Sequence, residues 1–130
     1  MTEPRWITKQ ALLLLHGMSL TAFGGSAGIQ DEALLDAALA RARNLFLYEP
    51  SADLAELAAC YGFVIAKNHP FVDGNKRAAL LAVGVFLAIN NYELTASQPE
   101  AIQAILGLAS GGLSEKELAA WIRLNSERRF

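Results

Sequence analysis

Residues 69–77 concentrate side chains that could bind and transfer a phosphate group. Six of these nine residues carry the relevant chemistry: His69, Asp73, Gly74, Asn75, Lys76 and Arg77. The carboxylate of Asp73 is a hard ligand of the kind that Mg²⁺ prefers. Lys76 offers phosphate a point charge, Arg77 offers a bidentate fork, and Asn75 can hydrogen-bond to phosphate oxygen. His69 could accept the proton of an attacking hydroxyl near neutral pH.

The same segment predicts an anion site at the start of a helix. We expect Asp73 to N-cap a helix that begins at Asn75, with Gly74 permitting an unusual turn. The first backbone N–H groups of that helix would be unpaired and would attract an anion. Two cations in this turn each cost the helix about 0.3–1 kcal/mol, and Leu80 and Leu81 stand where carboxylates could offset them. A bound anion would offset the unfavourable interaction between these cations and the helix dipole. The alternative interpretation is an exposed loop whose cations are merely solvated.

The composition favours a helical scaffold for this segment. Alanine and leucine contribute 44 of the 130 residues, against 15 for valine, isoleucine and threonine together. Alanine and leucine lose little in a helix, whereas β-branched residues crowd the preceding turn. The hydrophobic content of 53% is enough to fill a core. Because no internal repeat or interdomain linker is visible, we expect residues 1–130 to form a single all-α domain.

Apolar spacing, caps and breakers predict six helices. Asp31 and Ser51 are candidate N-caps, and residues 97–100 and 114–117 have the Ser-x-x-Glu spacing of capping boxes. The predicted helices cover residues 6–18, 32–43, 52–67, 75–90, 99–109 and 115–125.

A glycine-containing loop over residues 19–29 is long for a compact domain, and long ordered loops often serve a site. A small hairpin within residues 19–30 or 91–96 would not change the predicted class.

Charge and cysteine usage exclude several classes of protein. Eleven Lys and Arg residues against thirteen Asp and Glu give a net charge of -2, which argues against direct nucleic-acid binding. Cys60 is the single cysteine, so an internal disulfide is excluded and a reducing cytosol fits. The longest apolar run, residues 78–89, is too short for a membrane span. With no basic signal-peptide start either, we expect a cytoplasmic protein with no membrane partner.

Residues 69–77 read His-Pro-Phe-Val-Asp-Gly-Asn-Lys-Arg, which resembles the signature of the Fic/Doc family. That signature is His-x-Phe-x-(Asp/Glu)-Gly-Asn-(Gly/Lys)-Arg, and the match extends over all nine positions. The Doc (death-on-curing) branch fits better, because the chain is short and Lys76 stands where adenylylating Fic enzymes usually have glycine. Those enzymes carry a second arginine three residues after the first, and Leu80 occupies that position here.

The resemblance implies a toxin of a type II toxin–antitoxin system that acts as a protein kinase. Such enzymes move the γ-phosphate of ATP to a threonine of the elongation factor that delivers aminoacyl-tRNA, which stops translation. The resemblance assigns His69 as general base, Asp73 as the Mg²⁺ ligand, and Phe71 as the anchor of the loop in the core. It also assigns phosphate binding to Gly74, Asn75, Lys76 and Arg77, and it gives Arg77 a catalytic role as well.

The resemblance also implies a partner. Some Fic proteins carry an inhibitory helix with a Ser/Thr-x-x-x-Glu-(Gly/Asn) pattern, and this sequence has no such pattern. Inhibition is therefore expected from a separate antitoxin whose flexible segment folds into a groove near residues 69–77. Two alternatives stay open: transfer of AMP to a protein hydroxyl, and a non-catalytic module that only binds an antitoxin.

Four further positions and one segment have simpler interpretations. His16, beside an apolar stripe, is expected to be a hydrogen-bonded structural residue, with a supporting role near the site as the alternative. Cys60 is expected to be an inert core thiol. We interpret Arg41 and Arg43 as a solvated helix end rather than a substrate-docking pair, and residues 127–130 as a frayed terminus.

Overall fold

The computed structural model describes residues 2–129 and contains six α-helices in the order that the sequence predicts. The all-α class is confirmed, since the only strands in this part of the chain are two of three residues each. The elements are α1 Lys9–Phe23, α2 Glu32–Tyr48, α3 Leu54–Asn68, α4 Asn75–Ile89, β1 Tyr92–Leu94, α5 Gln98–Ser110, α6 Glu115–Leu124 and β2 Ser126–Arg128.

Helix α3 is the centre of the fold and contacts α2, α4, α5 and α6. Most of its residues are buried, and several are as small as alanine or glycine. Gly62 lies where three helices meet, because a Cβ atom there would come within 2.9 Å of Val83 Cγ2 on α4 and 3.4 Å of Leu118 Cδ2 on α6. The small residue therefore lets α4 and α6 pack closely against α3.

Helix α4 carries the long apolar run that the sequence analysis singled out, and seven of its residues are buried. Across residues 2–129, none of the helices combines the length and apolarity needed to cross a membrane. The run fills the protein core instead.

Helix α1 begins and ends later than predicted. Thr8 caps it by accepting a hydrogen bond from the Ala11 N–H at 3.1 Å, so Lys9 rather than Trp6 begins the helix. Gly17, predicted to end it, lies inside the helix, where nothing comes within 4 Å of its missing Cβ position. The helix continues to Phe23, and the expected loop over residues 19–29 is shortened accordingly.

Helix α2 starts as predicted, with Asp31 as its N-cap, but runs to Tyr48 instead of residue 43. Arg41 and Arg43 therefore both lie within the helix, and the interpretation as a helix end is wrong for both. Arg41 is also not merely solvated. Its guanidinium makes two hydrogen bonds to the Glu115 carboxylate, at 3.1 and 2.8 Å, and a third to Cys60 Sγ at 3.2 Å. Burial raises the pKa of the Cys60 thiol to about 11, which agrees with an inert core cysteine.

Two predicted N-caps are wrong by a residue or two. Asp53, and not Ser51, caps α3, since its carboxylate accepts the Glu56 N–H at 2.9 Å. Gly74, and not Asp73, is the N-cap of α4, and it adopts the left-handed conformation at φ 74°.

The capping boxes at residues 97–100 and 114–117 are confirmed, with both reciprocal hydrogen bonds in place. The predicted frayed terminus is wrong for residues 127–129. Residues 126–128 form β2, which pairs antiparallel with β1, and the Arg129 N–H donates to the Asn91 carbonyl at 2.9 Å. Residue 130 lies outside the described residues. A strand thus occurs in the segment 91–96, but its partner is the chain's far end rather than a hairpin neighbour.

Candidate active site

A cleft of about 980 Å³ opens at the N-terminus of α4 and brings together the residues that the sequence singled out. Its polar end is lined by His69, Asp73, Gly74, Asn75, Lys76 and Arg77. The rest of its wall is largely apolar and comes mainly from α1, α4 and α5, with Gly24, Gly25 and Val72 from the adjoining loops. A cleft with convergent polar groups at one end and apolar walls is the usual form of a small-molecule site.

The loop between α3 and α4 is anchored in the core by Phe71, as the resemblance implied. The Phe71 ring is fully buried and stacks on the His16 ring, with centroids 3.8 Å apart and planes 10° apart. The Asn75 side chain fixes the Phe71 backbone twice: its Oδ1 accepts the Phe71 N–H at 3.0 Å, and its Nδ2 donates to the Phe71 carbonyl at 2.9 Å. The buried Asn75 amide thus holds the loop. Because both of its side-chain atoms are used in this way, only the Asn75 backbone N–H remains available for the expected phosphate binding.

The glycine-containing segment after α1 runs alongside this loop. The N–H groups of Gln30 and Asp31 both donate to the Pro70 carbonyl, at 2.8 and 3.2 Å. The Val72 N–H donates to the Gly28 carbonyl at 3.0 Å. A single β-bridge results, where the sequence had allowed a small hairpin. The segment therefore holds the loop backbone through these three hydrogen bonds.

His16 combines the two interpretations that the sequence left open. It is 5% exposed, and its Nε2 lies 2.7 Å from the Asp73 carbonyl oxygen. Because a carbonyl can only accept, this ring nitrogen carries the proton and donates. His16 is a hydrogen-bonded structural residue whose partner is the candidate active-site loop itself.

The Asp73 carboxylate is exposed and oriented by backbone donors. Its Oδ2 accepts the Ser26 N–H at 3.2 Å and its Oδ1 accepts the Gly74 N–H at 2.8 Å. These bonds, with the nearby positive charge of Arg77, hold the pKa of Asp73 below its ordinary value of 3.8. Asp73 is therefore ionised at neutral pH. A Cβ on Gly25 would lie 2.9 Å from the Asp73 carboxylate, so the close approach requires glycine.

The N-terminus of α4 remains open to an anion. Among the residues that the structure describes, no side chain caps its first turn. The backbone N–H groups there point outward with the positive end of the helix dipole. Lys76 and Arg77 are exposed beside them, and within residues 2–129 no carboxylate lies within 4.0 Å of either cation. The predicted conflict between these cations and the dipole is thus present.

His69 lies at the boundary between α3 and the loop. It is the C-cap of α3, in the left-handed conformation at φ 50°, and its N–H donates to the Ile65 carbonyl at 3.3 Å. Its side chain is exposed and lines the same cleft as Asp73 and Arg77. A proton acceptor is therefore available at the polar end of the cleft.

Two cleft residues, Ser19 and Phe23, were not predicted as site residues because both fall in the expected loop over residues 19–29. Ser19 is 6% exposed, and its Oγ has no hydrogen-bond partner within residues 2–129. Phe23 lies with its ring centroid 4.4 Å from Arg77 Cζ. Extending the helical period from His16 across Gly17 would have put Ser19 on the His16 face and found it.

The residues present fit a magnesium–nucleotide pair. Mg²⁺ in such sites takes one or two protein carboxylates and completes its shell with phosphate oxygen and water. Asp73 supplies one ionised carboxylate, and no cluster of three or more His, Cys, Asp or Glu within residues 2–129 could hold a metal by itself. The uncapped α4 N-terminus and the unpartnered Ser19 Oγ supply donors to phosphate or sugar oxygen.

Comparison with known proteins gives a family match that includes this site. A model of the Fic/DOC family matches residues 6–87, which contain α1 to α3 and most of α4. The chain is 33% identical over 119 residues to the protein named Protein kinase doc of Escherichia phage P1, covering 92% of this chain and 94% of that protein. It is 42% identical over 76 residues to Toxin Doc of Mycolicibacterium smegmatis, covering 58% of each. The chain therefore belongs to the Fic/Doc family.

Proposed function

We propose that this chain is the toxin of a type II toxin–antitoxin pair. In this proposal it transfers the γ-phosphate of ATP to a threonine hydroxyl of the elongation factor that delivers aminoacyl-tRNA. One observation carries the proposal: an exposed histidine, an ionised aspartate and a helix N-terminus share one cleft with two cations that have no carboxylate partner within residues 2–129. The names of the two relatives, one a kinase and one a toxin, agree with it.

The transfer needs a base, a phosphate cradle and positive charge. His69 accepts the proton as the threonine oxygen bonds to the γ-phosphorus and the bond to the β–γ bridging oxygen breaks, with ADP leaving. The Gly74 N–H stays bonded to Asp73, and Gly74 contributes the turn that opens the cradle. The backbone N–H groups of Asn75 and Lys76, together with the Lys76 and Arg77 side chains, hold the phosphate oxygens and offset their charge. Mg²⁺, held by Asp73, supplies further positive charge at the phosphates when it is bound. Reactions of this type depend mainly on positioning and charge stabilisation.

Phosphate transfer is favoured over AMP transfer by the residue one turn after Arg77. Adenylylating relatives have a second arginine there, whereas this chain has Leu80, a partly buried leucine on the cleft wall. An apolar side chain cannot bind the terminal phosphates that AMP transfer must hold as the leaving group. The proposal therefore assigns the terminal phosphate as the group that is transferred.

The apolar wall of the cleft supports an antitoxin as partner. Met18 on α1 and Ile102 and Leu106 on α5 are large and exposed, and they line the same cleft as the proposed phosphate-binding residues. Exposed apolar surface of this kind commonly takes the apolar face of a partner helix. A flexible antitoxin segment that folded there would stop the nucleotide or the protein substrate from entering.

Induced expression in a bacterial host tests the proposal. Wild-type chain should stop growth and protein synthesis, and His69→Ala should not, because the hydroxyl then has no base. Replacement of exposed Lys116, which does not line the cleft, should leave the arrest intact. If His69→Ala arrests growth as strongly as the wild type, the chain acts by binding alone and the proposed transfer is wrong.

A further inference from the structure

Phe23 is an aromatic residue in the cleft for which neither the motif nor the core has a use. It is the last residue of α1, and its ring is 66% exposed. It lies over the guanidinium of Arg77, with Arg77 Cζ 4.4 Å from the ring centroid. We propose that Phe23 is a positioning residue that holds the Arg77 guanidinium at the polar end of the cleft, ready to bind phosphate. The inference rests on the proposed function, since it assumes that Arg77 binds the phosphate groups of the nucleotide.

The backbone under the ring is fixed by the same segment that orients the aspartate. Gly24 ends α1 with φ 85°, and its N–H donates to the Leu20 carbonyl at 2.7 Å. The next residue, Gly25, is in close contact with Asp73. The ring is therefore placed relative to the α3–α4 loop by local chain geometry and does not depend on core packing.

Arg77 needs such a contact because, within residues 2–129, neither a hydrogen bond nor an ion pair holds its side chain, and the Asp73 charge attracts it only at longer range. It is exposed, and residues 2–129 contain no carboxylate at ion-pair distance from it. Fixing a free arginine side chain costs about 2 kcal/mol of rotamer entropy, so a ligand that must fix the side chain binds more weakly. An aromatic face attracts the cation through its quadrupole and requires no hydrogen-bond acceptor. The guanidinium N–H donors thus remain available for phosphate oxygen.

The contact also explains an exposed phenylalanine. A ring that leaves two thirds of its surface in water contributes little to the core, so leucine at this position should fold equally well. The competing explanation is that Phe23 belongs only to the apolar surface that receives a partner. The two explanations differ in whether Phe23 acts through Arg77.

Binding of inorganic tripolyphosphate, measured by titration calorimetry on the full chain, tests the inference. Phe23→Leu should weaken binding about two- to fivefold, the size expected for an exposed cation–π contact. Phe23→Tyr keeps the ring face and should bind like the wild type. Tyr48→Leu makes the same kind of change at an 85% exposed aromatic outside the cleft and should change nothing. In an Arg77→Ala background, Phe23→Leu should cause no further loss.

The inference is overturned if the wild type does not bind tripolyphosphate, or if Phe23→Leu binds it as tightly as the wild type. It is also overturned if Phe23→Tyr loses as much affinity as Phe23→Leu, or if Phe23→Leu causes the same loss of affinity in an Arg77→Ala background. The last two would indicate a packing or partner role. Failure of the proposed function has a different signature. A wild type that binds tripolyphosphate in the expected Phe23-dependent way, yet transfers no phosphate from ATP, would refute the kinase proposal and leave the positioning contact standing.

Discussion

The polar residues of the candidate site divide into those that face the cleft and those that hold the loop. His69, Lys76 and Arg77 are exposed in the cleft, whereas the side chains of His16 and Asn75 are buried against the loop backbone. The cleft group was predictable, because it is contiguous and its chemistry is visible in the residue types. The holding group was harder to predict, because the partners of both side chains are backbone atoms whose positions depend on the folded loop.

Asn75 offers a test of the holding role. Asn75→Asp keeps the acceptor for the Phe71 N–H but replaces the donor to the Phe71 carbonyl with a second oxygen. An unsatisfied buried carbonyl facing a carboxylate should lower the free energy of unfolding by about 1–3 kcal/mol. The loop should also lose its fixed geometry, so phosphate transfer should fall even where the protein remains folded. Urea unfolding and a transfer assay on the same preparation check both effects, and an unchanged unfolding midpoint would contradict the assigned bonds.

The helix ends were predicted least well. Asp73 was expected to cap α4, but its carboxylate is occupied by the Ser26 and Gly74 N–H groups, and Ser26 is remote in sequence. Gly17 was expected to end α1, but an isolated glycine costs a helix only about 1 kcal/mol relative to alanine, which packing overrides. The two capping boxes were predictable because all of their bonds lie within four residues.

Gly62 tests the packing of α3 against α4 and α6. Gly→Ala in a helix usually stabilises a protein by about 0.5–1 kcal/mol. At Gly62 the added methyl would meet the stiff, buried Val83 side chain at 2.9 Å, so we expect a net loss of about 1–3 kcal/mol.

Gly84→Ala on α4 is the matched control, because nothing lies within 4 Å of its Cβ position, and it should show the ordinary gain. Urea unfolding of the two variants should give shifts of opposite sign. Shifts of the same sign would mean that Gly62 does not set the helix spacing.

For the whole molecule, the composition determined the fold class but not every contact. An alanine- and leucine-rich chain with few β-branched residues forms helices that pack around α3. The pairing of β1 with β2 was not predictable, because each strand has three residues and the two are separated by two helices. The net charge of -2 is compatible with a phosphate site, because a single nucleotide needs only the few cations at the N-terminus of α4.

Acid should destabilise the molecule partly through its capping boxes. Hydrogen bonds from the Ser97 hydroxyl and N–H to Glu100, and from the Ser114 N–H and hydroxyl to Glu117, hold the pKa of each carboxyl below its ordinary value of 4.5. A carboxyl whose pKa is lower in the folded protein stabilises the fold at pH values above its unfolded-state pKa. This stabilisation is lost as the pH falls through the folded-state pKa. Wild type should therefore exceed Glu117→Gln and Glu100→Gln in stability at pH 7 and lose that advantage toward pH 3. A constant difference in urea midpoint across this range would contradict the assignment.

The central claim is that this cleft transfers a phosphate through His69. The most direct measurement incubates the purified chain, Mg²⁺ and bacterial lysate with ATP labelled either at the γ- or at the α-phosphate, and follows label in protein. We predict that γ-label enters one translation factor, that α-label does not, and that His69→Ala lowers the rate about 10²–10⁴-fold, the usual contribution of a general base. Transfer of α-label, or γ-label transfer at the wild-type rate by His69→Ala, would contradict the account.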